Sequence, residues 1–283
     1  MSKKTKIKSI IIFAVIIAVI IICLCFVKTE TGETESIQVA MRDAVLHETK
    51  KVDFLGMQVN PGLISAFCVT GMFLIFGLFV RFIAVPRFKK IPGKFQMLLE
   101  TVVGLFDNMA KTNSPRMNSF LGAYIFMAGA YIFVGTIFEL FGFQVITTTG
   151  ESTSLPAPLA DINGAIVMGC LSYLIIMSGG VIANKFKGFA KTLKDFSLPI
   201  SMSFRLFGAL LSGALVTELV YYYPLTRYGF PIIVGVLFTL LHALIQAYVL
   251  TTLTSVFYGE VSEKTQKAPK QPKIHKSRRK VSA

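Results

Sequence analysis

Apolar residues gather into six long runs: Ile10 to Val27, Pro61 to Val80, Phe120 to Phe138, Ile162 to Ala183, Phe196 to Tyr223 and Phe230 to Tyr258. A bilayer core about 30 Å thick takes about 20 apolar residues as helix, and a backbone out of reach of water must satisfy its own polar groups. The pattern predicts an all-α, polytopic membrane protein with six transmembrane helices. As helix the last two runs would each be about 42 Å long, more than the core they cross, so tilting is the simplest accommodation. The short turn Pro224 to Gly229 joins them into an antiparallel helical hairpin that presents one long face to a neighbour.

Between the second and third runs, Phe95, Leu98, Leu99, Val102, Leu105, Phe106 and Met109 fall at helical spacing and are interrupted by Lys94, Glu100, Asp107 and Lys111. This predicts an amphipathic helix on the membrane surface. The chain divides into residues 1–60, an N-terminal anchor helix with an external segment; 61–258, the membrane domain; and 259–283, a Lys- and Pro-rich tail expected to be disordered and drawn to anionic lipid. The first run is also open to reading as a signal peptide. Its apolar core exceeds the usual 7 to 15 residues and no small-x-small cleavage site precedes Lys28, which favours an uncleaved anchor.

Composition agrees: 53% of the residues are hydrophobic and 16% charged, against about 25% charged in soluble domains. The net charge of +14 would suit nucleic acid, but its placement argues for topology. Of the 29 Lys and Arg, 23 lie at the start, in Arg81 to Arg116, in Lys185 to Asp195 and in the tail, against five on the other side. The positive-inside rule then puts both termini in the cytoplasm, with lipid and not nucleic acid as the partner. Cys23, Cys25, Cys68 and Cys170 all sit inside apolar runs with no metal-ligand spacing around them, and no metal or cofactor is expected.

Chemistry is confined to a few positions. Arg205 lies about ten residues into the fifth run, where a guanidinium costs at least about 2.5 kcal/mol and keeps its charge. At about 100° per residue, Gly208, Ala209, Ser212 and Val216 share its face, a surface small enough for a second helix to approach closely and bring a carboxylate. The bland alternative is an arginine reaching back to the interface. Glu218, in the outer half of the same run and on another side, is an ion-pathway candidate by its depth, or else a hydrogen-bonded structural acid. Thr239, His242 and Gln246 make a polar stripe on the sixth run, with Gln246 at the depth of Arg205. His242 reads either as a proton carrier or as a packed core residue. Glu139 and Asp161 add acids on the outward side, and Asp161 suits a helix N-terminus.

Three segments together resemble one family. Ser203-Phe204-Arg205-Leu206-Phe207-Gly208 resembles the arginine motif of subunit a of the F-type ATP synthase; Gln246-Ala247-Tyr248 with Thr251-Thr252-Leu253 resembles its last-helix motif. Pro158-Leu159-Ala160-Asp161-Ile162-Asn163 is similar to the opening of the preceding helix. The resemblance runs over roughly residues 50 to 260 in the expected order, and the first run and the tail look like additions. It implies an ion-translocating subunit, without nucleotide chemistry of its own, in a complex with a c-subunit ring, b subunits of a peripheral stalk and the remaining ATP synthase subunits. The resemblance further implies a bacterial plasma membrane, two offset half-channels that reach mid-membrane, and Arg205 and Gln246 carrying the coupling between them. Asp161, Asn163, Ser212, Thr239, His242 and Glu218 are the ion-pathway candidates. The chain departs from the family at Ala209, often Asn, and at Ala214, often a carboxylate or histidine, with Thr239 at the usual partner position. Glu218, one turn beyond Ala214, is the expected substitute.

Two other classes remain in view. A self-contained secondary carrier could use Arg205 and Glu218 to bind a charged solute, but carriers usually contain internal repeats and interrupted helices, and the Arg205 neighbourhood has no second copy. A purely structural scaffold leaves a mid-membrane arginine without a reason. No P-loop is present.

Overall fold

The computed structural model describes residues 51–263 except 55, 116–117, 147, 149, 151 and 223–229. The expected anchor run and the basic tail beyond residue 263 lie outside them. Strands β1 (Val52–Phe54) and β2 (Met57–Val59) form a hairpin with Gly56 at φ 81°, a left-handed conformation that suits glycine. Helix α1 (Pro61–Phe79) opens on a proline whose missing N–H would have had no partner there. It buries only the stripe Pro61, Gly62, Ser65 and Val69, while Leu74, Ile75 and Leu78 face outward, as expected of a helix bathed in lipid. A π turn (Val80–Ala84) and a 3-10 turn (Val85–Arg87) end it, because Pro86 cannot donate to the helical ladder.

Helix α2 (Lys94–Asn113) follows the amphipathic pattern. Phe95, Leu98, Val102 and Leu105 are exposed, while the far half docks: Phe106 meets Phe126 edge to face at 5.8 Å, and Asn113 Nδ2 donates to Ser255 Oγ at 2.9 Å. Helix α3 (Ser119–Phe138) runs into a 3-10 turn (Glu139–Phe141), followed by a second small hairpin of β3 (Gln144–Ile146) and β4 (Ser152–Ser154) and a 3-10 turn (Pro158–Ala160). Helices α4 (Ile162–Lys194), α5 (Ser197–Tyr222) and α6 (Phe230–Ser262) complete the described chain.

The core lies among α3 to α6, around Leu121, Ile125, Ile132, Ile176, Leu206, Leu250 and Tyr258. In lipid no apolar force draws helices together, so close approach through small residues and interhelical hydrogen bonds has to do it. On α3 the buried stripe includes Gly122, Ala128, Gly129 and Gly135. A Cβ at Gly129 would meet the Phe106 ring at 2.9 Å and Thr251 at 3.0 Å. Tyr124 and Ser172 join α3 to α4 by a 2.8 Å hydroxyl contact. The ring of Tyr258, 1% exposed, fills the space over Gly179.

Five described helices are long and apolar enough to cross a membrane, and they match the five later runs. Two features go beyond the expectation. The loops on one side fold into the two hairpins, so short strands accompany the helices. The stretch from Lys185, which the charge pattern marks only as a basic segment between two runs, turns at Lys185 (φ 51°, ψ −134°) and continues as helix to Lys194. Tyr173 Oη donates to the Thr192 carbonyl at 3.0 Å, although 19 residues of straight helix would separate them by about 28 Å. The segment therefore folds back on its own span, with Gly188 against Gly180 where any side chain would collide.

Candidate functional site

The α5–α6 pair sets the depth of each polar residue. Arg205 shares a crevice with Gln246 and Val249, and Gly213 and Ala214 share another with Thr239 and His242. Ascending numbers on α5 meet descending numbers on α6, so the two helices are antiparallel, as the sequence predicts. The crevice between Arg205 and Gln246, also lined by Met202, Leu206 and Leu250, has no room for a water.

Arg205 is exposed on the outer surface of α5. Among the described residues it makes no ion pair and no hydrogen bond. Its face continues through Gly208 and Ser212, both exposed, with Ala209 and Val216 half-buried. A Cβ at Gly208 would find nothing within 4 Å, so the chain's own packing gives no reason for a glycine there. Ser212 Oγ donates back to the Ala209 carbonyl at 2.7 Å, which keeps its polarity folded against the helix. Gln246 is 6% exposed, and its Oε1 is buried with no donor among the described residues. An acceptor left unmade in hydrocarbon is costly; Arg205, the richest donor on α5, lines the same crevice as Gln246.

A second polar site lies toward the end of α3. Thr136, Glu139, Gly213, Ala214, Thr217, Thr239 and His242 surround a cavity of about 20 Å³, room for about one water. The His242 ring lies over Gly213, whose Cβ would come within 3.3 Å of Nδ1, and faces Phe238 at 5.9 Å between centroids. Glu139 is half-buried at the end of the third apolar run. The sequence reading named Glu139 only as an outward acid and did not join it to His242. The available signal was Thr136 and Glu139, three apart at the end of an otherwise apolar run.

The other predicted residues separate. Asp161 caps α4, accepting from the Asn163 backbone N–H at 3.0 Å, and receives Asn60 Nδ2 at 2.9 Å, which ties α1 to α4. Asn163 is exposed. Both line an apolar cavity of about 540 Å³ between α1, α3 and α4, shared with neither Arg205 nor His242. Glu218 lies on α5 one turn beyond Ala214, with its side chain outside the described residues. Cys68 and Cys170 are free thiols on exposed faces, and the described residues contain no cluster of metal ligands.

Fold and site define a class: a multi-pass helical membrane protein that keeps at mid-span, on an open face of small residues, a cation unpaired among the described residues. A family model for the ATP synthase A chain matches residues 65–259. The chain is 24% identical to the ATP synthase subunit a of Acidothermus cellulolyticus over 234 residues, covering 77% of this chain and 82% of that one. It is 25% identical to the ATP synthase subunit a 2 of Vibrio campbellii over 215 residues, 67% of this chain and 84% of that one. The chain belongs to the ATP synthase A chain family, subunit a of the F-type enzyme, and is the ion-channel subunit of its membrane sector. It works as part of that complex with other ATP synthase subunits.

Proposed function

We propose that Arg205 is the coupling residue of this ion pathway and that its open face on α5 receives a ring of carboxylate-bearing helices, the c ring. The observation that carries this is the exposed guanidinium, unpaired among the described residues, on a face where Gly208 has no packing neighbour. A permanent cation beside each passing carboxylate favours its ionised form and so drives ion release. It also repels an ion that would otherwise cross directly between the two half-channels. Gln246 holds its unmatched oxygen at the same depth, where it can accept from the guanidinium and keep it from reaching for solvent.

On this reading the cavity of Glu139, Thr239 and His242 is the wall of the outer half-channel. Ala214 leaves the space that a larger side chain would fill, and Glu139 supplies the carboxylate from the 3-10 turn that ends α3 instead. Glu218 lies farther along α5, toward the mouth of the same path. The complex resides in a bacterial plasma membrane with both termini of this chain cytoplasmic, and b subunits of a peripheral stalk hold the chain against rotation.

The test is ion-driven ATP synthesis and passive leak in inverted membranes, with ring co-purification as the check on assembly. Arg205→Lys keeps a charge but loses the planar fork. Both Arg205→Lys and Arg205→Ala should abolish coupled synthesis, and Arg205→Ala should also leak ions. An assembled Arg205→Ala complex that makes ATP at near-parental rate would sink the assignment of this site.

A further inference from the structure

The end of α1 carries a site that the ion pathway does not use. From Arg81 to Lys94 the chain holds five cations, Arg81, Arg87, Lys89, Lys90 and Lys94, and no acid. None of the five makes an ion pair among the described residues. The π turn and Pro86 bend the chain here, and the loop that follows is fastened by Gln96. Its Oε1 accepts from the Lys89 N–H and its Nε2 donates to the Lys89 carbonyl, both at 3.1 Å. Held in this way, the loop and the start of α2 enclose a pocket of about 550 Å³. Arg87 and Lys89 line it together with Phe79, Ile83, Ile91 and Phe95, and Ile91 is 86% exposed.

We propose that this pocket binds one anionic phospholipid from the membrane leaflet on the basic side. Charge and position favour that occupant. The cations stand at the end of a membrane span, where headgroup phosphates lie and where a basic residue attracts anionic lipid. The apolar lining is flanked along the chain by further exposed apolar side chains, Leu78 near the end of α1, Phe82 in the π turn and Leu98 on α2. A free phosphate would use the cations and leave the aromatic and aliphatic walls without a role. An acidic protein segment would have no use for these apolar walls. The amphipathic helix α2 then has its beginning fixed by a lipid and its end fixed by α3 and α6.

The sequence contains no tryptophan, so Ile91→Trp makes a single probe at the pocket in the full chain. Its fluorescence is quenched by brominated phosphatidylglycerol or brominated phosphatidylcholine at equal mole fraction in otherwise identical vesicles. The probe should favour phosphatidylglycerol by about fivefold for each cation engaged. Arg87→Gln with Lys89→Gln should remove on the order of twentyfold of that preference, whereas the exchange Arg87→Lys with Lys89→Arg should keep it. A control Leu74→Trp probe, mid-span and exposed, should show no preference.

Equal quenching by the two lipids at the Ile91→Trp probe would overturn the proposal. Relief of quenching by inorganic phosphate would mark a free-anion site and also overturn it. In the assembled complex, photoactivatable phosphatidylglycerol should label residues 79–96. Labelling seen with the chain alone but lost on assembly would put a protein segment in the pocket and refute the lipid.

Discussion

On the proposed reading, Gly208 separates what the chain needs for its own folding from what it needs for a partner. Adding a side chain there meets no atom within 4 Å, and a leucine in place of glycine gains about 1 kcal/mol of helix propensity. Gly208→Leu should therefore leave the thermal stability of the isolated chain in detergent unchanged or slightly raised. Docking is different on the proposed reading, because a ring helix that passes Arg205 would also pass this position, one turn away on the same face. Overpacking a close contact costs typically about 1 to 3 kcal/mol. Added to the barrier of each rotational step, that slows turnover roughly 5- to 150-fold.

The assay is ATP synthesis driven by an imposed ion gradient in reconstituted vesicles, normalised to ring content. Gly179→Ala supplies the contrast. Its new methyl would run into the Tyr258 ring inside the bundle, so it should lower the yield of assembled complex while the complex that forms keeps its specific rate. A Gly208→Leu complex with parental ring content and parental synthesis would refute the claim that this face meets the ring.

Glu139→Gln, which keeps shape but cannot exchange a proton, should slow ion transport by about 10²-fold if the carboxylate is a positioned proton carrier. Proton uptake in inverted membranes measures it, and a parental rate would return Glu139 to a structural role. Glu218→Gln, assayed in the same membranes, should slow transport with assembly intact; a parental rate there would leave Glu139 as the acid of the outer path. Asp161→Ala removes the α4 cap and the acceptor for Asn60, each worth about 1 kcal/mol. It should lower the melting temperature in detergent while the assembled complex transports normally, and a transport defect without a stability change would place Asp161 in the pathway.

The spans were legible because apolar run length is a physical requirement of the bilayer. Five of the six runs find their helices close to the expected ends. The antiparallel register of α5 on α6 was legible too, since a six-residue turn leaves little choice, and it put Gln246 beside Arg205. The cavity around His242 was not. Periodicity on α6 gave Thr239 and His242 one face, but Glu139 reaches them from the turn that ends α3, a hundred residues away, and no period within one helix encodes that meeting. The fold-back after Lys185 was hidden for a related reason: a charged connector and a short returning helix have the same composition. Only Gly180 and Gly188, which let the two stretches touch, set them apart.

That fold-back has a mechanical consequence. Asn184 Nδ2 donates to the carbonyls of Val261 and Glu263 at 3.0 and 2.8 Å, and Lys191 Nζ reaches the Glu260 carbonyl at 2.9 Å. Asn113 and Ser255 add a bond from the other flank. If, as proposed, a ring turns past α5 and α6, it drags on them sideways, and a helix held only by greasy contacts would creep under that torque. Here the last turns of α6 are bolted on both flanks by directional hydrogen bonds, so the load passes into α2 and α4. The stationary side of the motor can then push back without yielding.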